Sequence, residues 1–240
     1  MRKKSSQQQT IYVRPEWRIR TSFFILLLMI ALELLVALFQ GSVQREGGFL
    51  LLLSIIQFSV FFLIPLYVAT VRHKQPPQAL GIPEKPFFRG LGKGLLWGAM
   101  LFVLNMFAAY ALILLFPEHT QDTQMIIQAM LEENNSFEFF GLIVCITVLA
   151  PVGEEIFFRA FMMGALEARF GSLAGVLISS FVFGAMHEGM WDFFPFILPI
   201  FLSGCGFALL YIKYRDVYLN IIAHAAYNCI VVFLMFGARG

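Results

Sequence analysis

Apolar residues in this chain form long, nearly uninterrupted runs that are separated by short polar segments. Most of these runs approach the roughly 20 residues that an α-helix needs to cross the hydrocarbon core of a bilayer. Seven spans are predicted, at about 22–40, 48–71, 94–116, 138–166, 172–190, 194–213 and 217–236. The pattern therefore predicts an all-α fold, a polytopic transmembrane bundle of about seven spans, with six and eight as the neighbouring possibilities.

The composition changes this picture little. Apolar residues make up 59% of the chain and charged residues 13%, whereas soluble domains contain about 45–50% and about 25%. No basic stripe occurs outside the short loops, which argues against nucleic-acid binding. The three cysteines lie in apolar segments without paired spacing. We therefore expect small buried side chains there, and neither disulfides nor a cysteine zinc site.

Lysine and arginine residues are concentrated on one side of the predicted bundle. Nearly all of them fall in the segments 1–20, 72–93, 167–171 and 213–216. A single arginine and most of the acidic loop residues fall in the opposite segments, 41–47, 117–137 and 188–193. The positive-inside rule then predicts a cytoplasmic N-terminus and an external C-terminus. Residues 1–20 are predicted to form a cytoplasmic basic tail and residues 21–240 a single multi-pass transmembrane domain. The compact length and the short tail favour a bacterial plasma membrane.

The fourth span contains three charged residues, Glu154, Glu155 and Arg159, within an apolar run. One Asp, Lys or Arg at the centre of a membrane helix costs about 2.5–3.5 kcal/mol on insertion scales, so such residues indicate a functional site. Glu155 and Arg159 are spaced i,i+4 and can form an ion pair, whereas Glu154 points about 100° away and has no local partner. Glu154 is therefore the candidate general base. The alternative is that all three residues form a salt-bridge cluster that joins helices. Pro151 is expected to kink this span and to free backbone carbonyls near the carboxylates.

Later spans supply further polar side chains at depth. His187 ends the fifth span, and His224 and Asn228 lie at i,i+4 on one face of the seventh. A lone histidine in an apolar helix is more often an interhelical hydrogen-bond partner than a catalytic group. Together with Glu154, however, these residues can activate a water through Glu154 and His187 and stabilise an oxyanion through His224 and Asn228. The same carboxylate and histidines are also Zn²⁺ ligands, with an open position for the water.

Small and polar residues elsewhere predict close helix packing. Gly90, Gly94 and Gly98 at the start of the third span have the four-residue spacing that lets helices approach closely, as do Gly171 and Gly175 at the start of the fifth. Asn105 has no partner in its own span and is expected to form an interhelical hydrogen bond.

Three motifs in spans four to seven resemble those of a known family. The chain contains, in order, Glu154-Glu155-x-x-x-Arg159, Phe183-x-x-x-His187 and His224-x-x-x-Asn228. Their order and intervals resemble the three motifs of the CAAX protease and bacteriocin-processing (CPBP, or Abi) family of intramembrane proteases. The resemblance implies a helical membrane fold with residues 138–236 as the catalytic core, and a cavity in which a peptide is cut near its membrane end.

The resemblance also implies roles for individual residues. Glu154 and His187 correspond to the water-activating pair, and His224 and Asn228 correspond to the oxyanion stabilisers. Glu155 would support the site together with the arginine of the first motif. The resemblance implies a mechanism without a bound cofactor or metal; if Zn²⁺ is present, its ligands are expected to be Glu154, His187 and His224.

The expected activity is therefore that of a CAAX prenyl endopeptidase-like hydrolase that acts on a peptide or membrane protein in the lipid bilayer. One alternative is a non-catalytic membrane scaffold or an immunity or partner-binding protein that keeps the motifs as a polar cluster. A second is a small transporter or proton relay, because Glu and His at depth also serve pumps. No internal inverted repeat is visible in the sequence, which disfavours many transporter folds.

One count from the predicted spans conflicts with a shared site. At about 1.5 Å per residue, Glu154 and His187 each lie roughly 20 Å from the cytoplasmic ends of their spans. His224 lies only about 10 Å from its end by the same count. A shared site requires equal depth, so tilt, a kink at Pro151 or different span boundaries must bring these residues together.

Overall fold

The structure is a computed structural model, and it describes residues 13–40, 47–115, 136–187 and 197–237. The helices in these parts are α1 (Ile19–Gln40), α2 (Gly47–Tyr67), α3 (Leu91–Leu115), α4 (residues 136–170), α5 (Ser172–Ala185), α6 (Ile197–Tyr214) and α7 (Val217–Gly237). A π-helical turn, Val68–Arg72, extends α2, and two short 3₁₀ turns, Pro77–Leu80 and Phe87–Gly90, lie in the proline-rich segment that follows. Within the described residues there is no strand, and the all-α prediction is confirmed.

Several of these helices are long and apolar enough to cross a membrane. The described residues contain five such stretches, Leu51–Arg72, Phe87–Leu115, Phe137–Phe170, Ile197–Tyr214 and Val217–Leu234. Two further apolar helices, Ile19–Leu32 and Ser172–Ala185, are shorter in this part of the chain. The predicted segments opposite the basic side lie largely outside the described residues, at 41–46, 116–135 and 188–196.

The fifth predicted span, 172–190, is longer than the helix that the structure contains. Helix α5 ends at Ala185, and the backbone N–H of His187 donates to the carbonyl of Gly184 at 3.1 Å. This i→i−3 bond tightens the chain into a turn at the end of the helix. The helix end therefore places His187 in a turn directly after α5.

Helix α4 lies at the centre of the bundle. Half of the residues in the most apolar part of α4 are buried (50%), compared with 17% in the most apolar part of α3. Phe157 and Phe161 are fully buried, and the ring of Phe61 on α2 stacks on Phe157 with centroids 4.8 Å apart. At Gly153 a Cβ atom would lie 2.8 Å from the carbonyl oxygen of Phe58, so only glycine allows α2 to approach this closely. The charged stretch is thus held in the most enclosed helix of the bundle.

Two stretches of α4 are π-helical, Cys145–Leu149 and Glu155–Met162. The first ends immediately before Ala150 and Pro151. Proline has no N–H, and its ring excludes the carbonyl of the residue four positions earlier. A π-helical turn therefore lies just before Pro151, where the sequence predicts a kink. In such a turn a backbone carbonyl accepts from the N–H five residues later, and not from the N–H four residues later as in an α-helix.

Helices α3 and α7 pack closely through small residues. A Cβ atom at Gly98 would collide with the carbonyl oxygen of Ala223, and a Cβ atom at Gly94 would lie 2.5 Å from Ile222. The side-chain amide of Asn105 donates to the hydroxyl of Tyr227 across the same interface. The predicted close approach and the predicted interhelical hydrogen bond are both confirmed.

Gly171 and Gly175, the predicted packing pair of α5, have different roles. A Cβ atom at Gly175 would lie 3.2 Å from the backbone nitrogen of Glu167, so this position packs α5 closely against α4. Gly171 instead has φ +87° and no neighbour within 4 Å of an added Cβ. It is a turn residue between α4 and α5, because a positive φ favours glycine, and the prediction of a packing role for Gly171 is wrong.

The cysteines are free thiols with different surroundings. Cys145 is buried as predicted, Cys205 is half-buried and Cys229 is exposed. Cys229 follows Asn228 directly, and successive helix residues point about 100° apart. The inward direction of Asn228 therefore turns Cys229 outward, and the prediction of burial is wrong for this cysteine.

Residues 13–18 pack against the bundle, although the sequence assigns them to a polar tail. The indole N–H of Trp17 donates to the carbonyl of Phe161 at 2.9 Å. The two rings are stacked, with centroids 4.7 Å apart and planes 3° from parallel. The side-chain oxygen of Gln75 accepts the backbone N–H of Glu16 at 3.0 Å. This segment therefore belongs to the folded domain and contacts the second π-helical stretch of α4.

Ion pairs tie helix ends together on the side that the charge pattern assigns to the cytoplasm. Arg215 binds the carboxylate of Glu167 on α4 with two hydrogen bonds of 2.7 and 2.6 Å. Asp216 is paired with Lys85 and accepts the backbone N–H of Leu219 at 3.2 Å. Asp216 thus caps the N-terminus of α7, where a carboxylate is favoured by free N–H groups and by the helix dipole.

Candidate active site

The central helix α4 supplies three of the predicted site residues. Glu154 is the last residue of a short α-helical stretch, Ala150–Glu154, and Glu155 begins the second π-helical stretch. Glu155 and Arg159 are fully buried, and Glu154 is 6% exposed. Two carboxylates and a guanidinium at such depth are costly unless neighbouring charges or polar groups compensate them. Their partners come from α5, α6 and α7.

Glu155 lies at the centre of a hydrogen-bonded network. Its Oε1 accepts a hydrogen bond from Nδ1 of His224 at 2.8 Å. Its Oε2 accepts from Nδ2 of Asn220 at 3.0 Å and lies 3.5 Å from Nε of Arg159. The predicted ion pair between Glu155 and Arg159 is therefore confirmed. The carboxylate also orients His224, a contact that the spacing of residues in the sequence does not indicate.

Arg159 is held mainly by aromatic rings. Its guanidinium carbon lies 4.2 Å from the ring centroid of Phe183, and 5.8 and 5.9 Å from those of Phe207 and Phe158. Among the described residues, none of its three guanidinium nitrogens has a hydrogen-bond partner. A desolvated guanidinium over an aromatic face is stabilised by about 2 kcal/mol or more. The charge of Arg159 is thus balanced by Glu155 and by the faces of these rings.

Glu154 faces the two histidines. Its Oε2 lies 3.8 Å from Nε2 of His187 and 3.8 Å from Nε2 of His224. Both distances are longer than a direct hydrogen bond. The Nδ1–H of His187 donates to the carbonyl of Phe183 at 2.8 Å, which directs the unprotonated Nε2 of a neutral ring toward the carboxylate. Glu154 on α4, His187 in the turn after α5 and His224 on α7 therefore converge.

This convergence resolves the conflict in predicted depth. The three side chains share one site, so the helices that carry them do not all begin at the same level. The backbone N–H of Val217 donates to the carbonyl of Gly81 at 2.9 Å. The start of α7 is therefore covered by the loop after α2 and does not mark the edge of the bundle. A count along the helix from Val217 underestimates the depth of His224 for this reason.

Asn228 makes a different contact from its neighbours. Its Nδ2 donates to the carbonyl oxygen of Ile146 at 2.9 Å. Ile146 lies in the first π-helical stretch of α4, two turns before Glu154. The amide is thus engaged with the backbone of α4.

Two contributors to the site were not predicted from the sequence. Asn220 donates to Glu155 and also to the carbonyl of Phe207 at 2.8 Å. The ring of Phe207 stacks on His224 with centroids 4.6 Å apart. Asn220 precedes His224 by four residues, so the i,i+4 spacing that selects Asn228 also selects Asn220 when it is applied in the other direction. Phe207 has no such signal, because it is one of 28 phenylalanines.

The part of the chain that the structure describes contains no group of three or more His, Cys, Asp or Glu side chains with the geometry of a metal site. The carboxylate of Glu154 faces two imidazole nitrogens, which is the chemistry of a zinc donor set. The metal-free mechanism stays a prediction.

Comparisons with known proteins single out the C-terminal part of the chain. A family model described as "Type II CAAX prenyl endopeptidase Rce1-like" matches residues 136–230. The "Putative membrane peptidase YdiL" of Bacillus subtilis (strain 168) is 31% identical over 93 residues, which are 39% of this chain and 36% of that protein. The chain thus matches about a third of the length of this relative. No solved structure matches the chain. All six site residues predicted from the sequence lie within the segment matched by the family model.

Proposed function

We propose that this chain, whose residues 136–230 match the model of a CAAX prenyl endopeptidase-like family, is a member of that (CPBP) family of membrane proteins and an intramembrane endopeptidase. The reaction is hydrolysis of a peptide bond close to the membrane. The observation that carries the proposal is the position of Glu154 Oε2, 3.8 Å from the Nε2 atoms of both His187 and His224. The name of the bacterial relative, a membrane peptidase, points to the same class of reaction.

In this mechanism Glu154 and His187 bind and activate a water molecule. Polar atoms separated by more than about 3.5 Å are commonly bridged by a water, and the 3.8 Å between Glu154 and His187 suits such a bridge. Glu154 takes a proton from the water, and the oxygen attacks the carbonyl carbon of the peptide bond. The C–N bond then breaks, and the proton passes from Glu154 to the leaving amine. A positioned general base contributes about 10²–10⁴-fold to such a reaction.

His224 then stabilises the oxyanion. Its Nδ1–H is held by Glu155 at 2.8 Å, so a proton on Nε2 points toward the space beside Glu154. With His224 protonated, the cluster contains two carboxylates, one guanidinium from Arg159 and one imidazolium, and it is neutral overall. Buried charges that balance in this way avoid the cost of an unpaired ion. Loss of one oxyanion donor typically costs about 10²–10³-fold in kcat.

The family resemblance implies that Asn228 is a second oxyanion donor. Its Nδ2 already donates to the carbonyl of Ile146, which leaves one amide hydrogen for any other acceptor. The proposed mechanism therefore relies on His224 for oxyanion stabilisation.

A non-catalytic polar cluster is the main competing function. The hydrogen bonds of Glu155, Asn220 and His224 would suit such a scaffold, because each joins two helices. Glu154 does not fit that interpretation, since its buried Oε2 has no hydrogen-bond partner among the described residues. A buried carboxylate without such a partner is costly for a scaffold, whereas a general base requires it to be open to a reactant.

The test is peptide cleavage by the purified protein in liposomes. Membrane-anchored peptides with and without a prenyl group, of otherwise identical sequence, form the substrate panel, and products are identified by mass spectrometry. We expect Glu154→Gln and His187→Ala to lose about 10²-fold or more in cleavage rate. The matched control Glu84→Gln alters an exposed carboxylate and is expected to keep full activity. Normal cleavage by both Glu154→Gln and His187→Ala would reject the mechanism.

A further inference from the structure

The contact between Asn228 and Ile146 follows from the backbone of α4. In the first π-helical stretch, the N–H of Ala150 donates to the carbonyl of Cys145, five residues earlier. Ala150 is the residue whose N–H would serve the carbonyl of Ile146 in a regular α-helix, and it is used elsewhere. In the π register the donor for Ile146 would be residue 151. That residue is Pro151, which has no N–H.

The backbone therefore leaves the carbonyl of Ile146 without either of its helical donors. At membrane depth an unsatisfied carbonyl is costly, because no solvent can replace the missing donor. The Nδ2 of Asn228 reaches across from α7 and donates to this oxygen at 2.9 Å. The side chain thus supplies the hydrogen bond that the proline removes.

This bond also connects the two helices that form the site. Ile146 precedes Glu154 by about two turns on α4, and Asn228 follows His224 by about one turn on α7. The hydrogen bond between Asn228 and Ile146 therefore limits how far α4 can slide or rotate against α7. The distance from Glu154 to His224 depends on that register.

We propose that Asn228 is a positioning residue that replaces the backbone donor lost at Pro151 and so holds Glu154 opposite His224. This proposal rests on the proposed peptidase function for its effect on the reaction. It differs from the role of an oxyanion donor, because Asn228 acts on the backbone of α4 and not on the reacting atoms.

The proposal predicts that Pro151→Ala rescues Asn228→Ala. Alanine at position 151 restores an N–H that can reach the carbonyl of Ile146 in the π register. We expect Asn228→Ala to lower kcat about 10–100-fold, as small misplacements of catalytic groups do, with KM changed by less than about threefold. The double variant Pro151→Ala/Asn228→Ala should recover to within about threefold of Pro151→Ala alone, because the two residues are coupled through one acceptor.

An oxyanion donor would behave differently. If Asn228 contacts the reacting atoms, restoring an N–H at position 151 cannot replace it, and the double variant keeps the full loss of Asn228→Ala. That result, with an active Pro151→Ala, overturns the proposal. An undiminished kcat in Asn228→Ala overturns it as well.

Thermal unfolding in detergent gives a second reading that needs no substrate. Asn228→Ala should lower Tm in the native background and leave Tm unchanged in the Pro151→Ala background. Asn105→Ala is the matched control, since it removes a different interhelical hydrogen bond, the one between α3 and α7, and should lower Tm equally in both backgrounds. Equal loss of Tm for Asn228→Ala in both backgrounds overturns the proposal, including where Pro151→Ala is itself inactive.

The two hypotheses fail in distinguishable ways. If the unaltered protein cleaves no peptide of the panel, the proposed function is rejected, and the unfolding measurements still decide whether Asn228 replaces the donor lost at Pro151. If cleavage depends on Glu154 but the Pro151→Ala background rescues neither Tm nor kcat, the proposed function stands and the positioning role is rejected.

Discussion

Glu155 and His224 are joined by a 2.8 Å hydrogen bond between a carboxylate oxygen and Nδ1 of the imidazole. The bond connects α4 to α7 across 69 residues of sequence and leaves Nε2 of His224 directed at Glu154. The two adjacent glutamates therefore meet opposite sides of one imidazole ring. Glu155 orients the ring, and Glu154 faces both the Nε2 of this ring and the Nε2 of His187.

Replacement of Glu155 is expected to impair both stability and activity. Glu155→Ala leaves the buried charge of Arg159 without its carboxylate, and breaking a buried pair in this way costs about 3–5 kcal/mol. Glu155→Gln keeps the shape but replaces the carboxylate that accepts from Nδ1 of His224, so the ring is oriented less firmly and we expect kcat to fall about 10²-fold with a smaller loss of stability. Tm in detergent and cleavage in liposomes measure the two effects. Unchanged Tm in Glu155→Ala would show that this carboxylate does not brace Arg159.

Arg159→Lys is expected to be a damaging substitution although it conserves the charge. A lysine ammonium lacks the planar guanidinium that lies over Phe183 at 4.2 Å. The loss should be about 1–2 kcal/mol of unfolding free energy. Arg169→Lys is the control, because Arg169 is exposed and lies farther from its aromatic neighbour, 6.0 Å from the ring of Phe170. Equal stabilities of the two lysine variants would argue against the aromatic contribution.

Asn220→Ala is expected to lower kcat through His224. The amide donates to both Glu155 and the carbonyl of Phe207, and removing it leaves a buried acceptor unsatisfied at a cost of about 1–3 kcal/mol. Loss of this bond also frees the carboxylate that orients His224, so we expect about a tenfold lower kcat. Asn105→Ala should lose comparable stability while keeping kcat, since its bond to Tyr227 lies between α3 and α7 outside this network. Equal effects of both variants on kcat would assign Asn220 a purely structural role.

The fold could be predicted from the sequence because membrane helices are long and almost uniformly apolar. Each of the seven predicted spans corresponds to a helix of the structure. The helix period also separated Glu154 from the Glu155–Arg159 pair, since neighbouring residues on a helix cannot face the same target. These features are local, and local spacing is what a single sequence contains.

The remaining features of the site depend on contacts between distant segments. The bond from Glu155 to His224 and the stacking of Phe207 on His224 join separate helices and have no periodic signal in the sequence. The π-helical stretches of α4 depend on how the backbone accommodates Pro151 within the packed bundle. The contact of Asn228 with Ile146 follows from that backbone register, which residue spacing alone does not contain.

Trp17 is expected to contribute to stability from outside the predicted spans. Trp17→Phe keeps an aromatic ring on Phe161 but removes the indole N–H that donates to the carbonyl of Phe161. The expected cost is about 1 kcal/mol, whereas Trp17→Ala also removes a buried ring and should cost about 3–5 kcal/mol. Thermal unfolding in detergent measures both. If Trp17→Ala keeps the Tm of the unaltered protein, residues 13–18 do not pack on α4 in the purified protein.

Chelation should leave peptide cleavage intact, because the proposed mechanism obtains its nucleophile from Glu154 and His187 without a metal. The facing atoms, one carboxylate oxygen and two imidazole nitrogens 3.8 Å from it, are nevertheless types that bind Zn²⁺. The measurement is the cleavage rate after dialysis against a strong chelator, with and without added Zn²⁺, beside the metal content of the purified protein. Complete loss of cleavage that added Zn²⁺ restores would contradict the metal-free mechanism. In that case Glu154→Gln and His187→Ala should also lower the bound zinc, whereas under the present mechanism they alter cleavage alone.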